Sequence, residues 1–262
     1  MGGLWLPISN RMTTVKGKIG FFGAVDTVTG SNFLFESNGK KIMIDCGLFQ
    51  GDLFADDRNR EKFGVDPASV DILLVTHAHI DHIGRIPKFV REGFKGKIYS
   101  TPPTHELSGM MLLDTVNILA HEAVKSGLPP IYEEGDVKET MRHWETREYY
   151  HKFELGEGIS CEMKDAGHIL GSAMMFITIN DSTIVFTGDL GNSPSPLLRD
   201  TDSIAGVKYL LMESVYGDRN HEGRDERKEI LKQTIVDTIS RGGVLMMPTF
   251  SIERTQEFLY EF

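Results

Sequence analysis

Histidine is scarce in this chain of 262 residues, with 9 in all, yet three of the nine lie in the stretch His77-Ala78-His79-Ile80-Asp81-His82. Imidazole nitrogens and a carboxylate are the donors that hold zinc when no thiolate is at hand. Donors this closely spaced can divide between two neighbouring ions. The bland alternative is a polar loop with incidental histidines, and the rest of the chain decides against it. His168 stands in Asp165-Ala166-Gly167-His168-Ile169-Leu170-Gly171-Ser172, Asp189 in Phe186-Thr187-Gly188-Asp189-Leu190-Gly191, and Asp45 in Ile44-Asp45-Cys46-Gly47. Taken singly, each reads as a turn aspartate or a capped loop histidine. Each nevertheless follows an apolar run and precedes a glycine or turn, so together they describe one rim of strand ends bearing polar side chains.

The elements that must position these residues are legible in outline. Short β-rich runs at 18–24, 32–36 and 41–44 come first, with Gly39 at a turn. The continuous apolar run 71–75 reads as a buried strand leading directly into the histidine cluster. A helix is expected from Asp81 to about Val90, then a strand at 97–99. A long helix follows from Thr104 to about Lys125, where Leu112, Val116, Leu119 and Ala123 share a face, and Gly127 with Pro129 and Pro130 stops it. A second helix is expected over 134–146. Strands return at 159–164, 173–179 and 183–186, with Asn180 and Asp181 as a hairpin turn, and again at 208–212. A helix from Arg224 to Ser240, a strand at 244–247 and a helix from Ser251 complete the pattern. Hairpins mixed with helices, without steady strand–helix alternation, point to two layered sheets with helices outside.

Bulk properties set limits. Hydrophobic residues make up 40% and charged residues 25%, the balance of a globular protein with a sizeable core. No run reaches the length of a membrane span. The apolar start, residues 1–10, lacks the basic head of a secretory signal, and Met12 reads as a candidate first residue because patterning begins near Lys18. The two cysteines, Cys46 and Cys161, form neither a disulfide framework nor a thiolate site, so a reducing cytoplasm is expected. A net charge of −10 excludes a general nucleic-acid coat but not a nuclease, since bound cations offset carboxylate charge locally. Lys88, Arg91, Lys95 and Lys97 make a small basic run near the rim, read as solvated helix charges before phosphate contacts. The methionine pairs Met110–Met111 and Met246–Met247 read as core filling.

Asp45, the His77–His82 stretch, His168 and Asp189 resemble motifs one to four of the metallo-β-lactamase superfamily. The stretch Met212-Glu213-Ser214-Val215-Tyr216-Gly217-Asp218-Arg219 resembles the first motif of its β-CASP branch. Gly242-Gly243-Val244-Leu245-Met246-Met247-Pro248-Thr249-Phe250-Ser251 resembles the start of the β-CASP cap domain, and residues 45–51 and 84–87 also look like this branch. The resemblance is to its RNA-acting members, including the endonuclease of pre-mRNA 3′-end processing and prokaryotic relatives. It implies a four-layer αββα sandwich of mixed α/β (α+β) class over residues 1–217 and the beginning of a cap over 218–262, cut short within that cap.

The resemblance also implies roles. His77, His79 and His168 would hold a first zinc ion, Asp81 and His82 a second, and Asp189 would bridge them. Asp45 would orient the cluster from behind, and Glu213 would orient a histidine that protonates the leaving group. Asp81, Asp189 and Glu213 are thus the expected catalytic residues. The implied reaction is hydrolysis of RNA phosphodiester bonds by a hydroxide activated between two zinc ions, manganese or iron being the substitutes such ligands admit. The family's last two histidines would follow the cap and find no counterpart here, which implies a weakened second metal site. RNA, read as single-stranded, is the expected partner, with no membrane and with a homodimer left open. Three other readings stay open: a small-molecule hydrolase of the thioesterase or lactamase type, a DNA nuclease of the same branch, and a non-catalytic RNA-binding subunit. Glu213 leans towards RNA over DNA.

Overall fold

A computed structural model describes residues 4–9, 16–51, 55–192, 194–219 and 226–261. The first sheet has seven strands in sequence order: β1 (Leu4–Ser9), β2 (Lys16–Gly23), β3 (Asn32–Ser37), β4 (Lys40–Ile44), β5 (Ile72–Leu74), β6 (Lys97–Ser100) and β7 (Trp144–Thr146). The second has five, ordered β12-β11-β10-β9-β8: β8 (Phe153–Gly156), β9 (Ile159–Asp165), β10 (Ala173–Ile179), β11 (Ser182–Phe186) and β12 (Tyr209–Leu211). Asn38 and Gly39 both adopt positive φ, 51° and 76°, the geometry that matches a tight hairpin to strand twist. From β4 to β7 the pairing is parallel, so the C-terminal ends of β4 and β5 lie side by side.

Side-chain alternation sorts the core. Ile19, Phe35, Ile42, Ile44, Ile72 and Leu74 meet Ile159, Met163, Met175, Ile177 and Phe186 between the sheets. Leu34, Met43, Leu73 and Ile98 face the other way, onto helices α3 (Ile86–Arg91), α4 (Pro102–Ser126) and α5 (Glu134–Arg142). A strand covered on both faces shows no polar alternation, which is why 72–75 is apolar throughout. The outer face of the second sheet puts Met174, Phe176 and Val185 against Leu190, Ile204 and Val207. No helix among the described residues is long and apolar enough to cross a membrane.

Several elements depart from the sequence reading. Residues 4–9, which precede the candidate first residue Met12, pair antiparallel with β2, while Met12 lies outside the described residues. The helix expected over 81–90 is two short ones, α2 (Ile80–Ile83) and α3, because Pro87 has no N–H to continue the ladder. The helix expected to 146 ends at Arg142. Trp144–Thr146 instead extends the first sheet beside β6, with the Trp144 indole donating to Ser100 Oγ at 2.8 Å, a tertiary pairing that overrides helical pattern. Strand β8 and helix α1 (Ala55–Arg60) were not anticipated. Helix α6 is described from Arg227 to Ser240, and the expected start at Arg224 lies outside the described residues. No strand forms over 244–247, where Val244 is 92% exposed. Met110 and Met246 are exposed rather than core-filling.

Candidate metal centre

Four strand ends converge on one buried threonine. Parallel pairing of β4 and β5 sets Asp45 beside Thr76 and His77, with Asp45 N donating to Leu74 O at 2.9 Å. From the second sheet, Ala173 N donates to Thr76 O at 2.8 Å, drawing the loop between β9 and β10, which carries His168, to the same place. Asp189 follows β11, and Gly188 beside it has no room for a side chain because a Cβ would lie 2.7 Å from Thr76 Cβ.

Glycines let these loops touch backbone to backbone. A Cβ on Gly47 would fall 1.5 Å from Asp81 O, and one on Gly191 would fall 1.7 Å from Gly167 O. Hydrogen bonds lace the loops at these contacts: Cys46 N to His82 O at 2.8 Å, Leu48 N to Ile80 O at 3.0 Å and Gly191 N to Ala166 O at 2.8 Å. The spacing of donors along the chain thereby becomes a spacing in space.

The side chains meet as follows. His79 Nδ1 lies 3.1 Å from His77 Nε2 and 3.2 Å from His168 Nε2. Asp189 Oδ2 is 3.7 Å from His77 Nε2 and 3.6 Å from His168 Nε2, while its Oδ1 is 3.2 Å from His82 Nε2. The donor atoms of His77, His79, His168 and Asp189 all lie within 4.8 Å of one another. Asp81 Oδ2 stands 3.9 Å from His82 Nε2. For tetrahedral zinc with Zn–N near 2.0–2.1 Å, ligand atoms sit roughly 3.3 Å apart. The observed nitrogen separations fit one divalent cation among these residues.

Hydrogen bonds behind the cluster aim it. His82 Nδ1 donates to Asp45 Oδ2 at 2.7 Å. Asp45 also accepts from Thr76 N and Thr76 Oγ1, both at 2.8 Å, and from Ser31 Oγ at 3.3 Å. Thr76 Oγ1, its proton given to Asp45, faces His77 Nδ1 at 3.1 Å. That contact favours the tautomer with Nδ1–H inward and the Nε2 lone pair outward. Ser172 Oγ accepts from His168 N at 3.0 Å and Ile169 N at 3.3 Å, closing that loop. Thr76, Ser31 and Ser172 escaped the sequence reading, although a hydroxyl residue adjoining a motif is a usual source of such local bonds.

Electrostatics prepares the donors. Burial holds His77 well below the usual histidine range, and burial lowers His79 too. His168 is lowered to about 4, by burial first and by the neighbouring histidines and Arg254 after that, against Asp189. These imidazoles are neutral at pH 7, with lone pairs free. Burial would raise Asp189, but the hydrogen bond and charge of His82, with His168 and His79, bring it down to about 2. Burial would lower His82, yet Asp45 and Asp189 together lift it well above its ordinary value. A cation has to displace that proton, which couples binding to pH. Burial raises Asp81.

Two other expectations meet their outcome here. Glu213 lies beside the centre, its Oε1 accepting from Leu190 N at 3.1 Å and its Oε2 from Val215 N at 3.2 Å. The basic run is not on the rim. Lys97 pairs with Ile72, at the end of β5 away from His77, and binds Glu145 at 2.7 Å. Lys88 is 3% exposed and donates to Glu61 O, while Arg91 reaches Ile131 O and Asp136. These cations are engaged by other partners and do not reach the strand ends that carry the donors.

Two facing sheets of mixed α/β class with imidazoles and carboxylates gathered at one rim define a metallohydrolase scaffold with a divalent-cation site. The chain belongs to the metallo-beta-lactamase superfamily, whose family profile matches residues 25–231. It is 38% identical to "Ribonuclease TTHA0252" of Thermus thermophilus, over 91% of this chain and 53% of that protein. It is 34% identical to an "RNase J-like protein" of Methanocaldococcus jannaschii, over 91% and 52% respectively. It is also 32% identical to "Transcription termination factor FttA" of Methanosarcina mazei, over 90% and 38%. The chain spans 38–53% of the lengths of these relatives.

Proposed function

We propose that this chain carries the metal centre of a ribonuclease that hydrolyses RNA phosphodiester bonds. The observation that carries the reading is the position of Asp189. One oxygen faces His77 and His168 at 3.7 and 3.6 Å, and the other faces His82 at 3.2 Å, so a single carboxylate serves two donor groups. In this reading His77, His79 and His168 would hold one zinc ion, Asp81 and His82 would hold a second, and Asp189 would serve both. The bound pair supplies a water acidic enough to ionise near neutral pH and positive charge for the phosphoryl oxygens of an in-line displacement.

The protein's own groups make that possible. Asp45 keeps the Nδ1 proton of His82, so that Nε2 points at Asp189. Thr76 does the same for His77. Asp189, His168 and Asp81 have side chains 35%, 25% and 21% exposed, which leaves an open face through which a phosphate can approach. His77, His82 and Asp45 are closed off behind them at 1%, 5% and 1%. RNA as the substrate is supported by what the relatives are called. Residues 218–262 are read as the beginning of a second unit set against this rim, where Glu253 Oε2 accepts from Leu170 N at 3.3 Å.

The test is metal analysis of the full-length protein together with cleavage of linear and circular single-stranded RNA, in the wild type and in Asp189→Ala. Two zinc equivalents and RNA hydrolysis that vanishes in the variant are expected. Normal turnover by Asp189→Ala, or hydrolysis of thioesters or lactams in place of RNA, would overturn the proposal.

A further inference from the structure

Phe250 is held in water beside a member of the metal cluster. It is 79% exposed, and its ring centroid lies 6.4 Å from that of His79, tilted by 46°. The segment that follows it is tied down. Thr255 Oγ1 donates to Phe250 O at 2.6 Å and Gln256 Nε2 to Ser251 O at 3.1 Å, joining Phe250 to the first turn of α7 (Arg254–Glu261). Glu253, at a left-handed φ of 66°, takes the Leu170 N–H two residues beyond His168, and Glu257 Oε1 accepts from Ser195 Oγ at 3.4 Å. A non-glycine residue is disfavoured in that conformation, and the Leu170 bond gives the turn a partner. The backbone that carries Phe250 is thus tethered to the loop that carries His168.

The basic run 88–97 does not supply the grip that nucleic acid needs here. The chain carries a net −10, and Lys88, Arg91 and Lys97 are engaged away from the rim. Without a broad positive field, single-stranded nucleic acid is held through the faces of its bases, which stack on aromatic side chains with little regard to sequence.

Resting on the ribonuclease reading, we infer that Phe250 is a stacking platform for the nucleobase next to the scissile phosphate, a positioning residue that sets the RNA strand against the metal cluster. The base lies on the exposed face of Phe250, and its backbone phosphate reaches the open side of Asp189 and His168. The platform accepts any base.

The test uses the full-length protein and a single-stranded RNA with one mapped cleavage site. RNA affinity is measured on metal-stripped protein by fluorescence anisotropy, and KM and kcat on the metal-loaded protein. The substrate set replaces each base flanking the cut, in turn, with an abasic residue. Phe250→Leu is expected to weaken RNA binding about tenfold, with the loss falling on KM more than on kcat, and Phe250→Trp to restore it. One abasic position should cost the wild type the same factor and cost Phe250→Leu almost nothing. Equal losses by wild type and Phe250→Leu at every abasic position would overturn the inference, as would unchanged affinity in Phe250→Leu. If Phe250→Leu does not fold, the wild type alone decides: no affinity loss at any abasic position also overturns it. A wild type that cuts RNA but shows none of these effects leaves the ribonuclease reading standing, whereas one that leaves RNA intact overturns both.

Discussion

Asp45 and His82 are joined by a 2.7 Å hydrogen bond between Oδ2 and Nδ1, both side chains buried at 1% and 5% exposure. The bond fixes which nitrogen of His82 faces inward. Its other nitrogen then meets Asp189 Oδ1 at 3.2 Å. Outer partners of this kind typically govern metal affinity by 10–100-fold. Asp45→Asn keeps the backbone able to adopt the left-handed φ of 57° seen at this position, since asparagine tolerates it, but removes the charge. The variant is expected to lose metal affinity by about tenfold or more in competition against a chelator. Wild-type affinity would show that Asp45 does not orient His82.

The touching loops make a separate prediction about stability. Gly47→Ala and Gly191→Ala each drive a methyl group into a carbonyl oxygen, at 1.5 and 1.7 Å. Backbone must shift, at a cost of about 1–3 kcal/mol or more. Gly39→Ala is the control: it has positive φ but nothing within 4 Å of its Cβ position, so it bears only conformational strain of about 1–2 kcal/mol. Thermal melts in chelator should rank both loop variants below Gly39→Ala, and metal content should fall in the loop variants alone.

The metal-stripped protein should show a stability maximum near pH 6.5. His77, His79 and His168 are lowered in the folded state, His168 to about 4. Between roughly pH 6.5 and 4 the unfolded chain therefore binds protons that the folded one refuses, and stability falls as pH drops through that window. Asp81, raised by burial, works the other way, one group against three. His82 is raised, so its contribution is complete below about 6.5 and is lost as pH climbs towards its higher folded value. Asp189, at about 2, adds stability that survives until pH falls below this range. Melting temperature against pH is the measurement, and a melting point that rose from pH 6.5 to 4.5 would contradict the assignment.

Glu213 offers a way to separate two roles. Its carboxylate accepts from Leu190 N and Val215 N, which ties it to the loop that carries Asp189. Removing it in Glu213→Ala frees the Leu190 N–H and loosens that loop, so metal retention and RNA hydrolysis should fall together. If Glu213 acted only through a histidine at the leaving group, as the family resemblance implies, hydrolysis would fall with metal content unchanged. Metal analysis of the purified variant decides between them.

The chemistry of this protein was written into its residue types and spacing. Donors clustered at His77–His82, with His168, Asp189 and Asp45 each after an apolar run, announced strand ends bearing metal ligands, and the apolar run 72–75 announced a strand covered on both faces. These signals are local, so they survive without tertiary information. What the fold alone decided is long-range. Parallel pairing of β4 with β5 brought Asp45 beneath His82, and glycines at 47, 188 and 191 let four loops close on Thr76. Trp144–Thr146 became a strand because β6 offered a partner, and Lys88 and Lys97 found partners away from the rim in Glu61 O and Glu145. Which side chains meet depends on register and on backbone contacts between segments distant in sequence, and neither leaves a mark in the residues taken one stretch at a time.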